Sequence, residues 1–434
     1  MSAQPRTRTR GRMSAGNPIY GVAAGPVGNG GSVNGYSVPV GSFETMTDVV
    51  VPNFHRRRNA GELFFNAMQK SRFEVSSSSN GGQITQKSPS YAIGQTYTWN
   101  GDLLSYLIAG LQTSTETYYL QPVLKADLPT ERLVAEASTK ARTVPSDSAI
   151  LVTMAEYKET IRLLPSIVSG WTSYLKRINA LGTRKSPLTL RTLQSASSAE
   201  LKLLTDFWLA TRFGIRPLIT ETLGVMQALN RTYDSLEKVR RTSRGSATFT
   251  TSEVTSYSVS HDIVVYPITR SDSVEQHVRA MGLFDGYMTL RDQLGFSARH
   301  IPVAAVDLIP FSFVLNWVVN INDFVYALST EADPGYTYAG GCVVVETIST
   351  STWQFSGGAT CTQPYTYDVT RDGVGVTVAV RSHKERIGSL PPPKLVVRGS
   401  PFQSLTDLRL VDLTALLSQQ LRGRNVGILK GSSR

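Results

Sequence analysis

The chain has 434 residues, a hydrophobic fraction of 41% and a mean hydropathy of -0.11, which describe a folded, water-facing protein large enough to divide into two domains. Charged residues make up only 18%, yet Lys and Arg outnumber Asp and Glu by 44 to 33, giving +11 and a pI near 9.6, a balance that points to a polyanionic partner. Two cysteines, Cys342 and Cys361, are too few for a disulfide scaffold or a structural zinc site; a cross-hairpin pair and two isolated core thiols both fit their spacing.

At the start, "MSAQPRTRTRGRMSAG" is basic but has no apolar h-region, so it does not read as a secretory signal. Arg6, Arg8, Arg10 and Arg12 alternate with Thr and Gly, and Gly, Pro, Ser and Asn dominate onward to residue 42. The reading is a flexible cationic arm over 1–42. From Phe43 to Trp99, "TDVVVPNF", "SRFEVSSSS" and "SYAIGQTYTW" favour strands. After the N-cap candidate "SDS" at 146–148, apolar residues recur in steps of four and three from Ile150 to Ile178, predicting a long amphipathic helix kinked at Pro165 and ended by Gly182. A second helix starts near Ser198. Gly214 interrupts it, and Pro217 suits the first residue of a third.

Strand chemistry returns at 246–270, and a helix is predicted near "FDGYMTLRDQLGF". "DLIPFSFVLNWVVNINDFV" at 307–325 is the most apolar stretch. Its uncharged part, Leu308 to Asn322, is roughly fifteen residues where a membrane span needs about twenty, and it carries Asn316, Asn320 and Asn322. It reads as a buried helix. Strands follow at 341–381, where Val374, Val376, Val378 and Val380 alternate with Gly375, Thr377 and Ala379, and a terminal helix carries Leu413, Leu416, Leu417 and Leu421. Long blocks of one type predict an α+β fold, with strands in one region and helices in another, each discontinuous in sequence. The boundaries are 43–100 plus 245–280 plus 335–400 for the β-rich region, and 101–244 plus 281–334 plus 401–434 for a helical bundle region.

The search for catalysis is negative. There is no Gly-Lys-Ser/Thr phosphate loop and no His-Glu-x-x-His, and the five histidines are scattered singly. Ser-x-x-Lys occurs at 173–176 and 235–238 without its companion motifs. No enzyme activity, metal or cofactor is expected. Cationic clusters are the better lead, because Arg presents a planar fork to phosphate and stacks on unpaired bases. The RNA-contact candidates are Arg56, Arg57 and Arg58; Lys176 and Arg177; Arg184, Lys185 and Arg191; Arg240, Arg241 and Arg244; and Arg422 with Arg424.

The 307–325 segment resembles the maturation (A) proteins of single-stranded RNA bacteriophages. That family carries an acidic residue, a hydrophobic-Pro-aromatic-Ser-Phe-Val run, an Asp-Trp pair and an Asn-x-x-Asp-Phe-like ending. Here these positions are Asp307, then Pro310, Phe311 and Phe313, then Asn316 with Trp317, then Asn320, Asp323 and Phe324. "FWLATRFGIRPLITE" at 207–221, with Gly214 and Pro217, and the closing "DLTALLSQQLR" are also similar to the family. The similarity covers roughly Leu201–Arg424. Two positions depart: Asn316 replaces the family's Asp, which predicts an amide contact where a carboxylate would stand, and Val306 replaces an aromatic.

The resemblance implies a single-copy virion protein made in the host cytoplasm. It would replace part of the coat protein shell, bind structured 3′ elements of the viral genomic RNA, and attach the particle to a bacterial pilus for genome entry. It also implies an elongated two-part body, with a helical bundle toward RNA and capsid and a β-rich part toward the host. A surface adhesin without a nucleic-acid role is the competing reading.

Overall fold

The structure, a computed structural model, describes residues 4–14, 20–24, 32–34, 40–78, 82–87, 95–100, 127–144, 238–261, 264–287, 297–307, 312–356, 360–361, 366–371 and 375–398, with isolated positions elsewhere. These residues are mainly strand. In chain order they form β1 (Gln4–Ser14), β2 (Tyr20–Ala24), β3 (Ser32–Asn34), β4 (Val40–Val50), α1 (Phe54–Asn59), β5 (Met68–Ser77), β6 (Gly82–Lys87), β7 (Gln95–Asn100) and α2 (Thr130–Ala141). Then come β8 (Lys238–His261), β9 (Val264–Tyr287), α3 (His300–Asp307), α4 (Ser312–Val318), α5 (Ile321–Glu331), β10 (Tyr336–Phe355), β11 (Thr360–Cys361), β12 (Thr366–Arg371) and β13 (Val376–Ile387).

This overturns the predicted fold class. The described residues are mostly sheet and not a helical bundle joined to a separate sheet: the longest of their helices, α2, has 12 residues. The long helix predicted over 150–178 and the two after it lie outside the described residues, apart from isolated positions. An eight-stranded sheet runs in the order β1-β4-β5-β13-β10-β9-β11, with β8 paired to β9, and a five-stranded sheet in the order β12-β6-β7-β2-β3. Two predicted boundaries also move. "FDGY" ends β9 rather than starting a helix, because period-2 burial continues through Val278, Ala280 and Phe284. The opening arginines belong to strand β1, paired along its whole length with β4, rather than to a flexible arm.

Strands β1 and β4 approach closely at Gly11 and Gly41, which stand opposite Phe43 and Met13. Both glycines have positive φ, 87° and 130°, and a Cβ on Gly11 would lie 2.1 Å from the Ser42 carbonyl oxygen. Only glycine admits that approach.

The chain divides into two compact units, Met1–Ser138 with Gly245–Met281 and Gly340–Pro391, and Thr139–Arg244 with Gly282–Ala339 and Pro392–Arg434. In the first, the core is unusually polar. β10 alternates cleanly, burying Val343, Val345, Thr347, Ser349, Ser351 and Trp353. Gln276 on β9 donates to Thr130 at 2.8 Å and to Thr347 at 3.2 Å, tying the start of α2 to the sheet. Arg270, only 4% exposed, lies over the Trp353 ring at 4.9 Å and donates through Nε to Asp272 at 2.9 Å and through Nη2 to Ser351 at 3.2 Å. A buried guanidinium costs several kcal/mol unless its N–H groups are met, which these partners do. In the second unit, Val144, Phe284 and Tyr336 form a small apolar cluster.

Candidate nucleic-acid interface

The predicted contact residues that can be placed fall in two groups. Arg56, Arg57 and Arg58 make up half of α1, a six-residue helix with no buried residue. Arg57 is held by Glu62 at 2.7 Å and lies over Phe64 at 4.9 Å, while Arg56 and Arg58 face solvent. Arg240, Arg241 and Arg244 lie within strand β8. Alternation exposes Arg240 and Arg244 and buries Ser243, so two guanidinium groups share one strand face two steps apart. Arg240 makes a two-pronged pair with Asp285, at 2.7 and 3.0 Å. Lys176, Arg177, Arg184, Lys185, Arg191, Arg422 and Arg424 lie outside the described residues.

The motif segment at 307–325 is not one buried helix. α3 ends at Asp307, α4 ends at Val318, and α5 begins at Ile321. The break is built around Asn320, which is fully buried. Its Nδ2 donates to the Lys394 carbonyl at 3.1 Å, and its Oδ1 accepts from the Val396 N–H at 2.6 Å. Its own N–H donates to the Val396 carbonyl at 3.2 Å, and Val319 bridges Val397. Of the three asparagines that argued against lipid, Asn320 thus binds a strap of chain at 394–398 through its side chain. Asn322 donates to the Asp307 carboxylate, whose pKa burial raises while that hydrogen bond lowers it.

Arg398 completes the arrangement. Nη2 donates to Asp323 at 2.6 Å and Nη1 to the Asn316 backbone carbonyl at 2.9 Å. This corrects the contact expected of Asn316: its backbone carbonyl, not its amide, meets the arginine, and its Oδ1 is buried without a hydrogen-bond partner. Asp323 supplies the carboxylate. Trp317 and Phe324 are half-buried on α4 and α5. Pro310 and Phe311 lie outside the described residues, as do Gly214, Pro217 and the side chain of Phe313.

Sequence reasoning missed His300. Its ring nitrogens contact Ser297 at 2.7 Å and the Tyr326 hydroxyl at 2.9 Å. Burial, reinforced by Arg299, pushes its pKa down to about 4. The native state therefore holds His300 neutral, while the unfolded chain takes up a proton near the ordinary value of about 6.5. Its contribution is complete above that pH and is lost as pH falls toward 4, amounting to roughly 2 kcal/mol. Denaturant midpoints measured from pH 7 to 4 are expected to fall less steeply for His300→Gln than for the parent. Asp307, whose raised pKa acts with the opposite sign, is common to both proteins and cancels in the difference. Parallel curves would contradict a neutral buried imidazole.

Among the described residues, no group of three or more His, Cys, Asp or Glu could hold a metal ion, and no helix is long and apolar enough to cross a membrane. Cys342 is a free, buried thiol whose pKa is raised by that burial.

What the described residues build is a β-rich fold, with arginines on open strand and helix surfaces and with Asn320 of the motif holding backbone together. The chain belongs to the phage maturation protein family, whose sequence model matches residues 108–423. It is thus a maturation protein of the RNA phages and a virion component. A search among curated proteins found no match. Strands β1 to β7 all precede the matched region.

Proposed function

We propose that this protein is the minor virion component that binds the phage genomic RNA, enters the capsid as a single copy and attaches the particle to a host pilus for genome entry. The observation that carries this reading is family membership over residues 108–423. The excess of 44 basic over 33 acidic side chains supports it, since phosphate neutralisation supplies strong, salt-dependent affinity without catalysis. Exposed arginines on α1 and β8 are suited to phosphate contact, whereas folded RNA shape and unpaired bases would supply selectivity.

The test is filter binding of the purified full chain to hairpin RNA from the genome's 3′ region and to random RNA, over a salt series. The expected result is a steep fall of affinity with salt and a preference for the hairpin. An asymmetric reconstruction of the particle is expected to show one copy breaking the coat shell, and particles are expected to adsorb to piliated cells only. A flat salt response with intact adsorption would favour the adhesin reading instead.

A further inference from the structure

The register of the larger sheet brings the arginines of β1 onto a surface that their sequence position does not suggest. Directly paired residues share a sheet face. Arg6, Arg8, Arg10 and Arg12 stand opposite Asp48, Met46, Glu44 and Ser42 on β4. Those residues stand opposite Met68, Lys70, Arg72 and Glu74 on β5, and Lys70 and Met68 oppose Lys384 and Arg386 on β13. On these four strands this face carries eight basic side chains and three acidic ones. The opposite face of β1, β4 and β5 carries Thr7, Thr9, Thr45, Thr47 and Ser71 in the same span and no charge at all. The segregation follows from period 2 in "RTRTRGR", not from packing.

The acidic residues are already engaged. Asp48 is shared by Arg6 and Arg8, at 2.8 and 2.9 Å, and Glu44 by Lys70 at 2.9 Å. Arg72 holds its strand neighbour Glu74 at 2.6 Å. Arg10 and Arg12 are exposed. Arg10 stands opposite Glu44 and helps lower that carboxylate's pKa through space, but Glu44's close partner is Lys70, which leaves the Arg10 guanidinium open to a ligand. β1 pairs only with β4 among the described strands, so this row lies at the edge of the sheet and is open to a long ligand. Arginines two residues apart on a strand repeat at about 6.8 Å, from a rise of about 3.4 Å per residue. The successive phosphates of an extended single strand of nucleic acid can match that repeat. No aromatic side chain shares this stretch of the face, since Phe43 and Phe73 point to the other side, so no aromatic platform there selects among bases.

We propose that the β1 arginine row is a track for single-stranded RNA, gripping phosphates and ignoring base identity. The proposal rests on the RNA-binding reading above, but places contact on a β-strand surface that precedes the matched family region. The resemblance assigned RNA to helices. Arg10 and Arg12 make the principal contacts, with Arg6, Arg8 and Arg72 supplying field.

The experiment compares the full chain with Arg10→Gln/Arg12→Gln in binding to unstructured U-rich and A-rich RNA oligonucleotides across a salt series. Loss of two phosphate contacts is expected to reduce the slope of log affinity against log salt by about 1.4, equally for both oligonucleotides. Arg10→Lys/Arg12→Lys should restore the slope. Matching thermal unfolding curves would show that β1 stays paired. If the parent binds RNA but the Gln variant keeps the full slope, the track is overturned while the RNA-binding reading stands. If the parent binds no RNA, both fall. An acidic polypeptide probe whose binding drops in the Gln variant, with RNA binding unchanged, would assign the row to a protein partner and also overturn the proposal.

Discussion

Asn320→Ala is expected to destabilise the protein by about 2–4 kcal/mol, a large share of a typical domain's stability. The side chain makes two hydrogen bonds to the strap, and it is fully buried. Truncation removes both bonds and leaves the Val396 N–H and the Lys394 carbonyl with less than they need, at roughly 1–3 kcal/mol for each group left unmet. Asn320→Asp is not expected to rescue it, because a carboxylate keeps the acceptor for Val396 but places charge against the Lys394 carbonyl. Thr139 holds the same residue from another side, its hydroxyl donating to the Lys394 carbonyl at 3.2 Å and accepting from the Lys394 N–H at 3.0 Å. The strap should therefore loosen rather than leave. Hydrogen exchange is expected to speed up first at 394–398, together with a lower denaturant midpoint. An unchanged midpoint would remove the motif's structural role.

Trp353→Ala is expected to cost about 3–5 kcal/mol. Trp353 is fully buried on β10, with Tyr257 at 5.4 Å between ring centroids on one side and Arg270 at 4.9 Å on its face. Truncation leaves a cavity and exposes a buried guanidinium to the loss of its aromatic neighbour. Trp353→Phe should cost much less, because the indole N–H makes no hydrogen bond that would be lost. A double-mutant cycle with Arg270→Met would report the cation–π coupling, expected at about 1–2 kcal/mol for a desolvated pair. Equal thermal midpoints for the Ala and Phe variants would show that ring volume is not what matters.

Much of the strand content was legible in the chain. The segments around 68–77 and 341–355 are strands because β-branched and aromatic residues alternate there, and they remain strands in the fold. Family membership was legible too, through "DLIPFSFVLNWVVNINDF" and its companions. What misled was the assumption that long blocks segregate. "SDSVEQHVRAMGLFDGY" has polar residues at both phases, so its strand period is visible only once its partners on either side are known. Likewise "RTRTRGR" reads as a loose cationic arm until β4 lies beside it.

The chain by itself determined the period of each strand, the basic excess and the family motif, because these are properties of residue order and residue type. Tertiary structure alone decided which side of each strand turns inward. On β13 the fully buried positions are Thr377 and Ala379, while Val376, Val378 and Val380 remain half-buried. Thr377 stands directly opposite Trp353, and a small residue there leaves room for the indole. Burial follows volume matched across strands, and a side chain's own hydrophobicity cannot reveal which neighbour it must fit.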